Sequence, residues 1–198
     1  MGRRSDHSRD ELEALILEAG QALMAEVGFS RFSAREVAKR IGYTVGTIMH
    51  LFGSVDRLIM AINSHTFILW SDWLEQRLSG AEGPERIEAL VRGYFEFAAA
   101  RPNLWAAIYA HRPPEGMAML DALIAQRTRL VDIVVREIAA ILPDAGQAPR
   151  LARSLVATVH GHCSFALNGS FALLGETDPL NLALTRVAES LRANGAAL

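Results

Sequence analysis

The stretch over residues 28–58 constrains the fold of this chain more than any other, because it encodes two short helices joined by a glycine turn. Ser33 and Glu36 have the S-x-x-E spacing of a capping box, which predicts a helix that starts just after Ser33. Gly42 follows that helix at the position where a positive φ favours glycine. Thr44 can cap a second helix directly after it. The sequence therefore predicts a helix-turn-helix.

Further residues keep a fixed spacing around this turn, namely Gly28, Phe32, Ser33, Val37, Ala38, Gly42, Thr44, Gly46, Thr47, Ile48, Phe52 and Leu58. Together with the helix before it, this pattern resembles the N-terminal DNA-binding domain of TetR-type (TetR/AcrR) transcriptional regulators, and it covers about the first third of the chain. Two positions depart from the family pattern. Met49 stands where such proteins usually have tyrosine, and Val55 where they usually have lysine, both of which commonly contact DNA phosphates.

The second helix of a helix-turn-helix lies in the DNA major groove and presents its outward side chains to base edges and phosphates. Thr47 and His50 share one face because they are three residues apart, and Val45 could contact a thymine methyl. The alternative is that this helix is exposed to solvent and does not contact DNA. The predicted DNA-binding residues are Arg31, Ser33, Arg35, Tyr43, Thr44, Val45, Gly46, Thr47 and His50.

Charge and cysteine content exclude several classes of protein. Residues 1–57 hold eight basic and eight acidic side chains, and the whole chain has a formal net charge of −2. This charge balance disfavours a strongly basic protein that coats nucleic acid, but it does not disfavour a protein that binds DNA selectively. Cys163 is the only cysteine, so the chain cannot form an intramolecular disulfide, which fits a reducing cytoplasm.

Apolar periodicity predicts an all-α chain of about nine helices. The predicted helices span 8–27, 34–41, 45–53, 55–78, 84–101, 102–111, 117–142, 150–174 and 179–192. The first three would form a helix-turn-helix head over residues 1–53. Residues 54–198 would form a helical body for ligand binding and dimerisation.

The segment over 154–175 has no Asp, Glu, Lys or Arg in 22 residues. Its length would permit a membrane span, but its histidines, asparagine, serines and glycines favour a buried helix. Such a helix lies either in its own core or against a copy of itself. The resemblance implies that the last two helices pair with those of a second copy, which predicts a homodimer.

Aromatic side chains cluster in the predicted body. Each one alone could be ordinary core, but with a few polar groups they could line an apolar cavity, and the resemblance implies a cavity that takes up an inducer. The expected effector is a small apolar or aromatic molecule. The predicted ligand-binding residues are Trp73, Tyr94, Trp105, Tyr109, His160, Phe165 and Asn168.

Enzyme and metal chemistry find little support. His160 and His162 point to opposite sides of a helix, so they cannot share a metal ion, and Cys163 lies in an apolar segment that disfavours a reactive thiolate. We expect no cofactor and no catalytic site. The sequence thus predicts a ligand-responsive repressor that binds a palindromic operator as a dimer. The alternative is an all-α small-molecule-binding or interaction protein with a weakened DNA-binding head.

Overall fold

The computed structural model describes residues 7–119 and 121–197, and all their side chains except those of residues 122 and 123. This part of the chain is helical and contains no strand, which confirms the all-α prediction. Nine of its helices are long and one is a single turn. They are α1 (Arg9–Val27), α2 (Ala34–Arg40), α3 (Val45–Phe52), α4 (Val55–Leu78), α5 (Glu85–Ala100), α6 (Pro102–Ala110), α7 (Asp121–Ile141), α8 (Ala148–Leu167), α9 (Ser170–Leu173) and α10 (Pro179–Ala193).

The long helix predicted from residue 117 starts later than expected. Residues 117–119 are not helical, position 120 lies outside the described residues, and α7 begins at Asp121. Two prolines at 113 and 114 and the positive φ of Gly116 (79°) oppose a helix in this stretch. The acidic side chain of Asp121 then suits the positive end of the helix dipole in the first turn.

The single helix predicted over 150–174 is two helices. α8 begins at Ala148, with proline in its first turn, where a missing N–H costs nothing. It ends at Leu167 because Asn168 leaves the helix and Gly169 adopts a left-handed φ of 78°. Only the short α9 follows. The sequence pattern missed this break because small polar residues are tolerated in helices as well as at their ends.

The described chain forms two compact units. The first contains residues 7–67, 101–119 and 121–124, that is α1 to α3, the first half of α4, α6 and the first four residues of α7. It therefore extends beyond the predicted head of 1–53, whose boundary stays a prediction. The buried apolar residues of this unit form one cluster, listed here: Leu12, Ile16, Leu23, Met24, Ala34, Val37, Ala38, Ile48, Leu58, Ile59, Ile62, Leu104 and Ala107.

The second unit contains residues 68–100 and 125–197. Within it α8 packs most extensively on α10, and both also pack on α5. Trp70 stacks on Phe97 with ring centroids 4.9 Å apart. The buried face of α8 presents Leu155, Val159 and Cys163 to this core.

Candidate functional site

The turn between α2 and α3 has the geometry that the glycine predicts. Gly42 has a φ of 73°. Its N–H donates to the Lys39 carbonyl, and the Tyr43 N–H donates to the Ala38 carbonyl over 2.9 Å. This pair of bonds is the Schellman motif, which ends a helix at a left-handed residue. A Cβ at Gly42 would contact nothing within 4 Å. The turn therefore favours glycine because of the positive φ and not because a side chain would lack space.

The start of α3 is also fixed by local chemistry. The Thr47 N–H donates to Thr44 Oγ1 over 3.2 Å, so Thr44 caps the helix as predicted. The two threonine hydroxyls lie 3.1 Å apart. Ile48 is fully buried and anchors α3 to the core of the first unit. The opposite face, which carries His50, is exposed.

The predicted capping box at α2 is wrong in its side chains. Ser33 holds the N-cap position, but its side chain makes no capping hydrogen bond. Glu36 turns instead toward the cations of the next turn, and its carboxylate lies 3.9 Å from Lys39 Nζ and 3.8 Å from Arg40 Nε. A capping box is present at α1, where Ser8 and Glu11 bond each other's backbone N–H.

The predicted DNA-binding residues fall into two groups by exposure. Arg31, Arg35, Thr44, Gly46 and His50 are exposed. Ser33, Tyr43, Val45 and Thr47 are half-buried, and Tyr43 and Val45 pack partly against the core of the first unit. A half-buried side chain at a helix start can still present one edge outward, so DNA contact by both groups stays a prediction.

The arginines beside the turn differ in whether an acidic side chain pairs with them. Arg40 forms a bidentate pair with Glu26, with nitrogen–oxygen distances of 2.9 and 2.7 Å. This pair raises the pKa of Arg40 and lowers that of Glu26 through the hydrogen bonds between them. Arg35 is exposed and makes no ion pair with any described residue. Arg35 is therefore the cation of α2 most available to a phosphate.

The two positions that depart from the family pattern differ in their surroundings. Met49 is half-buried and packs against the core of the first unit. Val55 begins α4 and is exposed. Met49 therefore contributes to the packing of α3, whereas Val55 leaves an apolar side chain at the surface.

Helix α6 is fastened to the first unit by polar bonds that the sequence pattern did not reveal. Asn103 Nδ2 donates to the Ala25 carbonyl over 2.7 Å, and His111 Nε2 lies 3.0 Å from Asp56 Oδ1. The His111 ring also contacts the Phe29 ring at 5.8 Å between centroids. Asp56 lies in the first turn of α4, which follows α3 in the sequence. Because Asp56 and His111 are 55 residues apart in the sequence, no short-range sequence pattern predicts their contact.

A cavity lies inside the second unit, lined by side chains from α4, α5, α7, α8 and α10, and its volume is about 50 Å³. Ten of its lining residues are aliphatic and one is tyrosine. They are Leu74, Ile87, Leu90, Val91, Tyr94, Val134, Ile138, Leu155, Val156, Val159 and Val187. Tyr94 Oη lies 2.9 Å from His160 Nδ1, which places one polar pair at this wall. Burial lowers the pKa of His160.

The structure gathers only part of the predicted ligand-binding set around this cavity. Tyr94 lines it and His160 contacts Tyr94. Trp73 packs edge-on against Phe97, with the Arg77 guanidinium 3.9 Å from its ring centroid. Phe165 is exposed, and Asn168 Oδ1 accepts from the Ser170 N–H. The described residues that line this cavity are thus aliphatic apart from one tyrosine, and ligand binding by the predicted residues stays a prediction.

Trp105 and Tyr109 belong to a different unit from the cavity. Both lie on α6 in the first unit, with ring centroids 5.4 Å apart. The aromatic clustering in the sequence suggested one body, but Pro102 starts a new helix whose apolar face packs on the head. Neither residue lines the cavity, and a role for them in ligand binding stays a prediction.

A charged network at the edge of the same unit was also missed. Arg86 donates to both carboxylate oxygens of Glu137, over 2.6 and 2.9 Å, and to the carbonyls of Leu78 and Ala81. Arg136 joins Glu137 to Glu75. Hydrogen bonds from Arg86 lower the pKa of the buried Glu137.

No group of three or more His, Cys, Asp or Glu side chains within the described ranges could hold a metal ion. Burial raises the pKa of Cys163 to about 12, so its thiol stays protonated and unreactive near neutral pH. In the same ranges no single helix is long and apolar enough to cross a membrane. Only α3 and α4 reach that length and composition together, as a pair bent by 73°.

Comparison with protein families identifies the family of the chain. The model of the bacterial regulatory proteins of the TetR family matches residues 16–62. The model of the tetracyclin repressor-like C-terminal domain matches residues 87–189, which is more than half of the chain. The chain belongs to the TetR family.

Two relatives illustrate how far the likeness extends. The HTH-type transcriptional regulator Rv1816 of Mycobacterium tuberculosis is 24% identical over 71% of this chain, and the match spans 61% of that protein's length. The regulator BetI of Burkholderia ambifaria is 28% identical over 77% of this chain and 80% of its own length. Less than two thirds of the mycobacterial relative is therefore represented in this TetR-family chain.

A solved structure shares the TetR-family fold at full length. A protein of unknown function from Rhodococcus sp. RHA1 superposes with a TM-score of 0.73 at 22% identity, covering 98% of this chain and 99% of its own. At that identity the likeness concerns the fold alone.

Proposed function

We propose that this protein is a ligand-responsive transcriptional regulator that binds a palindromic DNA operator as a homodimer and acts as a repressor. The observation that carries the proposal is the exposed face of α3, held by the Gly42 turn and the Thr44 cap. Helix-turn-helix proteins use such a face to read the major groove. A dimer bound over a promoter would exclude the polymerase. Family membership supports this function and favours no catalytic or cofactor-dependent activity.

The contacts with DNA divide by chemistry. His50 and Thr47 reach base edges, and Val45 contributes apolar contact with a thymine methyl. Arg31 and Arg35 contact phosphates, with Ser33 supplying a hydroxyl that no capping bond uses. Thr44, Gly46 and Tyr43 shape the helix start that approaches the backbone of the duplex.

The dimer would form through α8 and α10. On α8 the face opposite the core carries small uncharged residues, and a Cβ at Gly161 would meet nothing within 4 Å. Phe165 near the end of α8 is 46% exposed, and Leu173 on α9 is 90% exposed. A patch of exposed apolar side chains is typical of a protein interface. A second copy of the chain is the occupant that the family supports.

The effector would occupy the cavity of the second unit. A ligand changes DNA affinity only as far as it binds the DNA-competent and incompetent shapes unequally. We therefore expect a small apolar effector to select one shape of the dimer. A DNA-binding regulator of this kind would act in the cytoplasm.

The experiment that tests DNA binding starts from duplexes recovered by repeated selection from random-sequence DNA. Fluorescence anisotropy then measures the affinity of the wild type and of Thr47→Ala and His50→Ala. Each substitution should weaken binding by about 1–3 kcal/mol, the typical value of a lost contact. Thr177→Ala, an exposed threonine in the second unit, is the matched control and should bind like wild type. Wild-type affinity in both α3 variants would refute the proposed recognition surface.

A further inference from the structure

Positive charge is concentrated at the start of the sequence. Residues 1–9 contain three arginines and one acidic side chain, whereas residues 10–26 contain five acidic side chains and neither lysine nor arginine. The charged residues of the first group are Arg3, Arg4, Asp6 and Arg9. DNA attracts the first group and repels the second, because its phosphates carry negative charge. The start of α1 is therefore the part of this helix that is suited to face DNA.

The structure places this start beside the first residues of α3. The rings of His7 and Tyr43 lie 6.4 Å apart between centroids. Tyr43 directly precedes Thr44, the N-cap of α3. In a helix-turn-helix, the N-terminal residues of the second helix are those that approach base edges in the major groove. The chain that precedes His7 therefore joins the protein at the edge of the proposed DNA-binding surface.

Local hydrogen bonds fix the backbone at this point. The Ser8 N–H donates to Glu11 Oε2 over 2.7 Å, and the Glu11 N–H donates to Ser8 Oγ over 3.3 Å. Arg9 follows this cap and is exposed. None of the ion pairs among the described residues includes Arg9. Its guanidinium is therefore available to a phosphate next to the groove that α3 occupies.

Covalent geometry allows Arg3 and Arg4 to reach the adjacent groove. Because an extended residue spans at most about 3.6 Å, the Cα atoms of Arg4 and Arg3 can extend about 11 and 14 Å from that of His7. The major groove is about 12 Å wide, and one phosphate backbone separates it from the minor groove. A narrow minor groove at A·T pairs has an enhanced negative potential that attracts arginine.

From these features we propose that residues 1–6 bind the DNA minor groove next to the major groove that α3 occupies. Arg3 and Arg4 enter the minor groove at A·T pairs, and Arg9 contacts the phosphate backbone between the two grooves. Homeodomains use a basic arm before their first helix in this way. This inference rests on the proposed DNA-binding function and adds a second groove to its contact surface.

Three versions of the selected duplex test which groove is read. They carry A·T, G·C or inosine–cytosine pairs at the minor-groove positions that flank each half-site. Inosine lacks the amino group of guanine, so its pair with cytosine resembles A·T in the minor groove and G·C in the major groove. The wild type should bind the A·T and inosine duplexes alike, and the G·C duplex about fivefold more weakly or worse. Equal affinity for all three duplexes, or an inosine duplex that behaves like G·C, would overturn the proposal.

The double variant Arg3→Ala/Arg4→Ala removes the proposed minor-groove contacts. It should bind the A·T duplex about tenfold more weakly than wild type or worse, and it should bind all three duplexes alike. The matched control is Arg127→Ala/Arg150→Ala, which removes two exposed arginines from the second unit and should keep the wild-type preference. Thermal unfolding verifies that the compared variants are folded. A double variant that still prefers A·T, whether or not its affinity falls, would refute the minor-groove contact.

Chemical probing locates the contact on the duplex. Dimethyl sulfate methylates adenine N3, which lies in the minor groove. The wild type should protect the adenines that flank each half-site, and Arg3→Ala/Arg4→Ala should leave them as reactive as in free DNA. Protection that persists in this variant would assign the contact to another part of the protein and contradict the proposal.

Failure of this inference can be told apart from failure of the proposed function. Wild-type binding to the selected duplex without a preference at the flanking pairs contradicts the minor-groove contact and leaves the DNA-binding function standing. If the wild type binds none of the duplexes, the proposed function fails and this inference fails with it.

Discussion

At the residue scale, Glu137 shows how a charge can be buried in this fold. Its carboxylate accepts hydrogen bonds from Arg86 and Arg136, which lower its pKa and keep it ionised. A group whose pKa is lowered by folding stabilises the native state above its unfolded pKa. That stabilisation is lost as the pH falls through the folded value.

Glu137→Gln should therefore lower the free energy of unfolding by about 1.5–3 kcal/mol at pH 7, because it removes charge-assisted hydrogen bonds to a guanidinium. The difference from wild type should shrink as the pH falls below the unfolded glutamate pKa of about 4.3 and through the lowered folded pKa of Glu137. Urea unfolding at a series of pH values measures this. The exposed Glu82→Gln is the control, and a pH-independent difference for Glu137→Gln would contradict the account.

Gly42 illustrates a requirement that lies in the backbone alone. Gly42→Ala adds a methyl group that meets nothing within 4 Å, so its cost is the left-handed φ, about 1–2 kcal/mol. Gly80→Ala also adds its methyl group to open space, but at a residue without a positive φ. Chemical denaturation should show destabilisation in the first variant and little change in the second. Equal stabilities would mean that the turn tolerates a side chain.

At the element scale, α6 follows α5 in the chain but belongs to the first compact unit, whereas α5 belongs to the second. Its buried residues Leu104 and Ala107 belong to the core cluster of the first unit. Asn63 Nδ2 donates to the Ala107 carbonyl, and Asn103 bonds the end of α1. Helix α6 should therefore unfold with α1, although it directly follows α5 in the chain.

Hydrogen exchange tests this assignment. The slowest amides of α6 should open with a free energy similar to those of α1. Leu104→Ala, which leaves a cavity costing about 2–5 kcal/mol, should lower protection in α1 and α6 together while the slowest amides of α5 serve as the internal control. Loss of protection in α5 but not in α1 would assign α6 to the other unit.

The elements differ in how well the sequence predicts them, for a physical reason. The Gly42 turn and the Thr44 cap depend on residues only a few positions apart, so their pattern is visible in the chain. The Arg86–Glu137 pair joins positions 51 apart, and only folding brings them together. Aromatic content likewise does not tell which helix packs on which unit, so the sequence pattern does not reveal the aliphatic lining of the cavity in the second unit.

At the scale of the whole molecule, the proposed dimer depends on the apolar end of α8. Phe165→Glu places a charge on an exposed side chain, so the monomer should still fold, but the desolvation of that charge would oppose association. Sedimentation should show a monomer for this variant and a dimer for wild type. Gln76→Glu adds the same charge to the exposed surface of α4 and should stay dimeric. A dimeric Phe165→Glu would place the interface elsewhere.

The most direct test of the central claim is the symmetry of the DNA that the protein selects. Duplexes recovered from random sequence should share an inverted repeat, with half-sites about 34 Å apart or a multiple of it, because a two-fold protein reads a two-fold site. The mass of the complex should correspond to two protomers, or a multiple of two, on each duplex. Recovery of a single unrepeated half-site bound by one protomer, or of no enriched sequence at all, would contradict the account.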